Sequence, residues 1–292
     1  MVREVSFADV IEEHRPYLLG LCYRMLGSVG EAEDVLQEAY LRWHGAGEPV
    51  LDAPRAWLTT VCTRLCLDRL KSVAVKRERY HGQWLPEPMM DERNRAELDE
   101  SISLALMIAM ERLTAPERAA FILHDVFGFD FGEVAKTLEL KAAHCRQLAV
   151  RARRHLRGDH QRVESSPEEV ERLSGAFFSA IESGDVEGLR AVLAEDVVVL
   201  SDGGGKVSAV LKPLQGRDKV ERFFLSLRRF YAKVGGIQLK QTWFNGAPGL
   251  LVLAEGQAPS AYQFAIEEGV IQSIFIQRNP DKLERLLAPG DD

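Results

Sequence analysis

From Phe7 to Tyr80 the apolar positions recur at helical spacing, interrupted only at Gly27-Ser28 and from Gly45 to Pro49. Nothing in that stretch alternates as a strand would. A Trp-Leu-Pro-Glu-Pro string at 84–88, two prolines among polar neighbours, predicts an extended connector instead of an element. Helical periodicity resumes at about Leu98, breaks at Phe127 to Asp130 and ends near Arg157. After a second linker at about 162–167 the pattern changes. Helix signals at 168–183 and 217–232 are followed by apolar or alternating segments at 238–244, 250–255, 260–267 and 270–277, divided by turn pairs such as Asn245-Gly246 and Glu268-Gly269. Four short strands after helices predict an α+β module with a meander sheet.

The 292 residues allow two or three domains, and 46% hydrophobic with 28% charged residues fits a globular chain. The densest apolar run, Leu104 to Met110, is too short to span a bilayer, and the acidic start MVREVSFADVIEEH is no secretory signal, so a cytoplasmic location with no membrane partner is expected. Cys22, Cys62, Cys66 and Cys145 form no C-x-x-C pair and read as small core residues before a metal or disulfide set. Net charge is −7, yet Arg55 to Tyr80 holds 7 basic against 2 acidic residues and Lys136 to Arg162 holds 8 against 2. Two basic blocks on an acidic chain are either a two-point footprint on a polyanion or two solvated helix faces.

The second block has more structure than its charge. Phe131, Val134, Ala135 and Leu138 make one apolar stripe, and after a tight connection Cys145, Leu148, Ala149, Ala152 and Leu156 make another. Opposite the second stripe lie Ala143, Gln147, Val150 and Arg154, flanked by His144 and Arg151 on one side and Arg146 and Arg157 on the other. That is a helix-turn-helix whose second helix offers amide and cationic groups to base edges and phosphates. A basic helix end suited only to its dipole is the plainer reading. Further back, Ala32, Val35, Leu36, Ala39 and Trp43 would be buried, leaving Asp34, Gln37, Glu38 and Leu41 outward: a seat for a basic partner helix, or a solvated face. In the next helix, capped by Asp52 and begun by Pro54, Leu58, Val61, Cys62 and Leu65 point inward. Trp57, Thr60, Arg64, Asp68 and Lys71 point outward, followed by Lys76, Arg77 and Arg79. An aromatic ring among cations suits single-stranded DNA, though a lone Trp also serves a core.

The strings Tyr23-Arg24-Met25-Leu26-Gly27-Ser28 and Ala32 to Trp43, then the basic helix and the helix-turn-helix, resemble regions 2 and 4 of bacterial extracytoplasmic-function sigma factors over residues ~7 to 162. The resemblance implies that Asp34, Gln37, Glu38 and Leu41 dock on the β′ clamp helices of core RNA polymerase, with the β flap as a further contact. It implies that Arg55, Trp57, Thr60, Arg64 and Lys71 hold the −10 element of promoter DNA. Lys141, Ala143, His144, Arg146, Gln147, Arg151 and Arg154 would read the −35 element. Lys141 and Ala142 stand where many relatives carry a Ser or Thr cap, which leaves the helix start open.

Three further strings are similar to the group of these factors that carries a SnoaL-like carboxy-terminal domain: Trp84-Leu85-Pro86-Glu87-Pro88, Asp202-Gly203-Gly204-Gly205-Lys206 and Asn279-Pro280-Asp281-Lys282-Leu283. The likeness implies a multidomain chain of two all-α helical sigma domains and an α+β cone, divided 1–80, 81–98 (connector), 99–162, 163–167 (linker) and 168–292. It also implies regulation in cis through those three strings, and a small-molecule ligand as a partner such cones accept.

Enzymatic turnover is not expected. All seven histidines precede residue 161, leaving Asp196, Asp202 or Asp218 as the base, with nothing to mark one out. Gly203 to Gly205 fails as a phosphate loop because Val207 follows Lys206. The run reads instead as a hairpin turn between Val197 to Leu200 and Val207 to Leu211, with Asp202 and Lys206 as polar contacts at its tip, interdomain or local. Asn279 is either part of that contact or a helix cap, and Trp243, Tyr262 and Phe264 are expected to line the cone. No cofactor is called for. The rivals are a ligand-responsive helix-turn-helix regulator that binds duplex DNA without polymerase, and a fused isomerase or hydrolase.

Overall fold

The computed structural model describes residues 7–46, 53–78, 80–89, 103–156, 166–233 and 236–287. Several features read from the sequence lie outside them: the first six residues, Asp52, Arg79, Arg157, the connector beyond Met89 and most of the 163–167 linker. The side chain of Lys76 does too. The chain forms two compact units, one of residues 1–78, 92–102 and 106–160, the other of 79–91, 103–105 and 161–292.

The first unit is helical. Helices α1 (Phe7–Leu26), α2 (Val29–Gly45) and α3 (Pro54–Glu78) are followed by α4 (Leu104–Met110), α5 (Ala115–Phe121), a π-helical turn (Ile122–Val126), α6 (Phe131–Leu138) and α7 (Ala142–Leu156). Ser28 caps α2 by accepting from the Glu31 amide at 3.3 Å, and Val29, Ala32, Val35, Leu36, Ala39 and Trp43 are buried. Asp130 caps α6 through the Gly132 and Glu133 amides, while Glu133 reaches back to the Asp130 amide at 2.9 Å. Helix α6 stops at Glu139, whose φ is 56°. Between α5 and α6 the chain widens by one residue: the Phe127 amide donates to Ile122 O at 3.0 Å, five residues back, before Gly128 turns it at φ 69°.

Expectation and structure differ twice here. The helical pattern after Leu98 breaks also at Glu111 to Thr114, where the Glu117 carboxylate accepts from both the Thr114 amide and hydroxyl and so starts a new helix. The buried face of α3 is broader than its apolar stripe, because Thr59 and Thr63 are fully buried beside Leu58, Cys62 and Cys66 while Val61 is only half-buried. Thr59 accommodates this by donating to the Arg55 carbonyl at 2.7 Å.

The second unit is α+β. Helices α8 (Pro167–Ser183), α9 (Val186–Val192), α10 (Arg217–Tyr231) and α11 (Pro280–Leu287) accompany strands β1 (Leu193–Asp202), β2 (Leu214–Gln215), β3 (Gln238–Phe244), β4 (Ala247–Leu253), β5 (Ser260–Glu267) and β6 (Val270–Gln277). The sheet order is β2-β1-β6-β5-β4-β3, antiparallel except for β1 beside β6. The meander is therefore β3 to β6, as the alternation predicted. The glycine hairpin is a correction. Val207 to Leu211 forms no strand, and on the edge away from β6 the partner of β1 is Leu214 and Gln215 of β2. Fully buried Phe177 stands edge-on to Phe224, Phe178 and Phe264 with ring centres 4.8, 5.2 and 5.5 Å away, and Tyr262 stands edge-on to Phe178 at 5.4 Å. Trp243, on edge strand β3, lies outside this core, contrary to expectation. Among the described residues no helix is long and apolar enough to cross a membrane.

Candidate nucleic-acid interface and connector seat

Helix α7 buries Cys145, Leu148, Ala149, Ala152 and Leu156, the five residues of the inward stripe. It begins at Ala142 with Lys141 before it, and the Lys141 carbonyl accepts from the His144 and Cys145 amides. Lys141, Ala143, His144, Arg146, Gln147 and Arg154 are exposed. Arg151 differs from these: its Nε donates to Glu117 at 2.9 Å, tying α7 to α5. Burial opposes ionisation of Glu117, but the Thr114 hydroxyl and Arg151 outweigh it and hold the carboxyl below its ordinary value.

On α2, Leu41 is 57% exposed and Asp34 and Gln37 are exposed with it. Arg69 of α3 reaches Asp34 and Glu38, each at 3.4 Å, so this acidic face is partly neutralised from within. On α3, Arg55 lies over the Tyr17 ring at 4.0 Å, Trp57 is half-buried and Lys71 is exposed. Thr60 and Arg64 face α6: the two hydroxyls of Thr60 and Thr137 are 3.4 Å apart, and Arg64 pairs with Glu139 at 3.0 Å.

In the second unit the connector is seated on the sheet domain, and the three strings meet. Asp202, fully buried at the end of β1, accepts from the Tyr80 hydroxyl at 2.7 Å, the Leu85 amide at 3.0 Å, the Gly204 amide at 2.9 Å and Lys282 Nζ at 2.7 Å. Lys282 also donates to the Leu85 carbonyl at 2.5 Å and sits 4.2 Å from the centre of the Trp84 ring. Gln277 Nε2 donates to the Pro86 carbonyl at 3.3 Å, and Met89 exchanges hydrogen bonds with Asn245 at 2.9 and 3.0 Å. Glu87 is met by Arg285 at 3.6 Å. Asn279 has both roles read for it: its Oδ1 caps α11 by accepting from the Asp281 amide at 3.1 Å, and its Nδ2 donates to the Tyr80 hydroxyl at 2.9 Å. Burial, then the hydrogen bond to Asp202, push the Tyr80 phenol far above its ordinary value, so it stays a donor.

The glycine run is explained by close approach. A Cβ on Gly204 would collide with the Asn279 amide, and one on Gly205 would press on His81 at 3.1 Å; both also hold positive φ, 63° and 70°. Lys206 is the exception among these strings. It is exposed and pairs with exposed Asp281 at 2.6 Å.

Residues 10–74 match the Sigma-70 region 2 family and residues 103–156 the Sigma-70 region 4 family. The ECF RNA polymerase sigma factor SigJ of Mycobacterium tuberculosis is 35% identical, with 96% of this chain and 93% of that one covered. The chain belongs to the extracytoplasmic-function sigma factors. A probable ECF sigma factor, SigI of the same organism, is 34% identical over 94% of each chain. The crystal structure of M. tuberculosis SigJ superimposes with a TM-score of 0.78 at 34% identity, covering 95% of this chain and 98% of that one.

This sigma factor thus directs promoter recognition in transcription initiation, and its two family matches span helices α1 to α7. Sequence reasoning missed Tyr80, Asn245 and Gln277 at the seat, although an aromatic residue closing a basic helix just before a proline string is a visible signal for Tyr80. It missed Glu139 altogether. Among the described residues no cluster of His, Cys, Asp or Glu could hold a metal ion. Because the Lys206–Asp281 pair is solvated, Lys206→Glu is expected to change the stability of the sigma factor by less than about 1 kcal/mol, checked by thermal denaturation.

Proposed function

We propose that the α2 face of Asp34, Gln37, Glu38 and Leu41 docks on the β′ clamp helices of core RNA polymerase. Arg55, Trp57, Thr60, Arg64 and Lys71 hold the opened −10 strand, and the exposed face of α7 reads the −35 duplex. Arg151 contributes there by fixing α7 on α5. The region 4 fold meets the β flap. The carboxy-terminal domain acts in cis and without turnover, by seating or releasing the connector through the 84–88, 202–206 and 279–283 strings. The observation that carries the cis reading is the fully buried Asp202 with four donors drawn from the connector, the glycine run and α11. A non-catalytic role is supported by the aromatic filling of the domain's core, by exposed Asp196 and Asp218, and by the engagement of Asp202. A cleft of about 200 Å³ beside the seat, lined by His81, Gln83, Ser201, Ser208 and Leu211, is where a small ligand would bind and bias the seat.

The test is reconstitution of the full chain with core polymerase on a promoter-selected DNA pool. Initiation is expected only with core present. Leu41→Glu is expected to weaken core binding about tenfold, the loss of one well-placed apolar anchor. A chain that neither binds core nor initiates, yet shifts a duplex unaided, would replace this reading with the duplex-binding regulator.

A further inference from the structure

Two residues of the proposed −10 face are already occupied. Arg64 Nε donates to the Thr137 carbonyl at 3.1 Å, Nη2 to the Lys136 carbonyl at 3.3 Å, and Nη1 pairs with Glu139 at 3.0 Å. The Thr60 hydroxyl meets that of Thr137, itself buried, at 3.4 Å. Every acceptor comes from the carboxyl end of α6. The last carbonyls of a helix have no partner within it, and they form the negative pole of its dipole. Helix α6 ends abruptly because Glu139 takes a left-handed φ of 56°, and its carboxylate stands at that same pole. Arg64 therefore sees two carbonyl oxygens and one carboxylate oxygen, an anionic acceptor set of the kind its fork gives to a phosphate diester.

We infer that the carboxyl end of α6, from Lys136 to Glu139, is a built-in phosphate mimic that competes with the −10 strand for Thr60 and Arg64. This rests on the −10 reading of α3 given above. In the free chain region 4 covers part of the region 2 strand site, and DNA can take it only when α6 leaves. Glu139 is 73% exposed and Arg64 43%, so the ion pair is only part of the grip. The carbonyl bonds and the buried Thr137 supply the rest.

The test places a removable lock on this contact. In the full chain, Thr60→Cys with Thr137→Cys puts two thiols where two hydroxyls stand 3.4 Å apart, a separation that side-chain rotation can close to a disulfide. Diamide takes up the two hydrogens and two electrons, and the four native cysteines are fully buried. Binding of a labelled oligo(dT) strand is then followed by fluorescence anisotropy, oxidised against reduced. The oxidised protein is expected to bind at least about tenfold more weakly, with dithiothreitol restoring the reduced value; a second variant, Glu139→Lys, should bind about two- to fivefold more tightly than wild type, as expected for loss and reversal of one exposed pair. Failure of the pair to cross-link, or equal binding by both forms, overturns the mimic. Arg64→Ala in the polymerase complex separates the two readings. Normal promoter opening by that variant removes the −10 assignment and the mimic with it, whereas impaired opening alongside equal oligo(dT) binding removes the mimic alone.

Discussion

Asp202→Ala is expected to destabilise the carboxy-terminal domain by about 3–5 kcal/mol, the usual cost of removing one member of a buried ion pair. The carboxylate is fully buried and Lys282 has only 12% of its side chain exposed. Truncation leaves that ammonium with the Leu85 carbonyl and the Trp84 and Tyr80 rings, and it leaves the Tyr80 hydroxyl and the Leu85 amide without their acceptor. Two of the four donors that lose this acceptor come from Tyr80 and Leu85, at and beside the start of the connector, and the other two from Gly204 and Lys282, so the loss falls on the seat as well as on the fold. Chemical denaturation of the full chain measures the first. Limited proteolysis between Tyr80 and Met89 measures the second, with cleavage expected to rise. Adding Lys282→Met removes the uncompensated charge and should return part of the stability, because a buried pair replaced by apolar groups costs far less than one that is broken. Wild-type stability in Asp202→Ala would mean that Asp202 does not organise the seat.

Glu111→Ala is expected to have a comparable effect on the helical unit. Glu111 pairs with Arg77 and, at 2.5 Å, with Arg118. Arg118 is 3% exposed and also donates to the Met25 carbonyl at 2.9 Å, while Arg77 donates to the Leu26 carbonyl at 2.7 Å. One carboxylate thus holds two guanidiniums against the carboxyl end of α1. Burial, reinforced by the Arg118 charge, draws Arg77 down to about 9, and burial draws Arg118 to about 10. Both remain charged at neutral pH, so removing Glu111 leaves the buried Arg118 and the half-buried Arg77 without their shared carboxylate, at a cost of about 3–5 kcal/mol. A melting temperature within a degree or so of wild type would show that contacts other than Glu111 suffice to hold the arginines. Glu111→Gln, which keeps the shape and loses the charge, separates packing from electrostatics.

The parts of this fold that a periodic stripe dictates were legible in the residues. The buried faces of α2 and α7 are the stripes read from the sequence, with Val29 added to the first, because an amphipathic helix on a single core has one way to turn. The meander of β3 to β6 follows from alternation and turn pairs. The start of α5 was written too, in Thr114, Pro116 and Glu117, a cap signal inside what looks like continuous helix. The glycine run was misjudged because its reason is long-range: Gly204 makes room for Asn279, 75 positions away. Strand β1 was only partly visible, since it is buried against β6 and does not alternate cleanly. Glu139 gave no signal. An acidic residue between two leucines looks like an ordinary helix end, and only packing sets it against Arg64.

The π-helical turn at Ile122–Val126 has a consequence for chain arithmetic. Such a turn holds one residue more than the α-helical path between the same two ends. A single-residue deletion within it would let α5 run on as a regular α-helix between the same two ends, whereas a deletion within regular α5 would rotate everything downstream by roughly 100° about its axis, one residue's share of a 3.6-residue turn. A one-residue deletion in the π-helical turn should therefore cost the helical unit less stability than a one-residue deletion in α5, which thermal denaturation of the two variants checks.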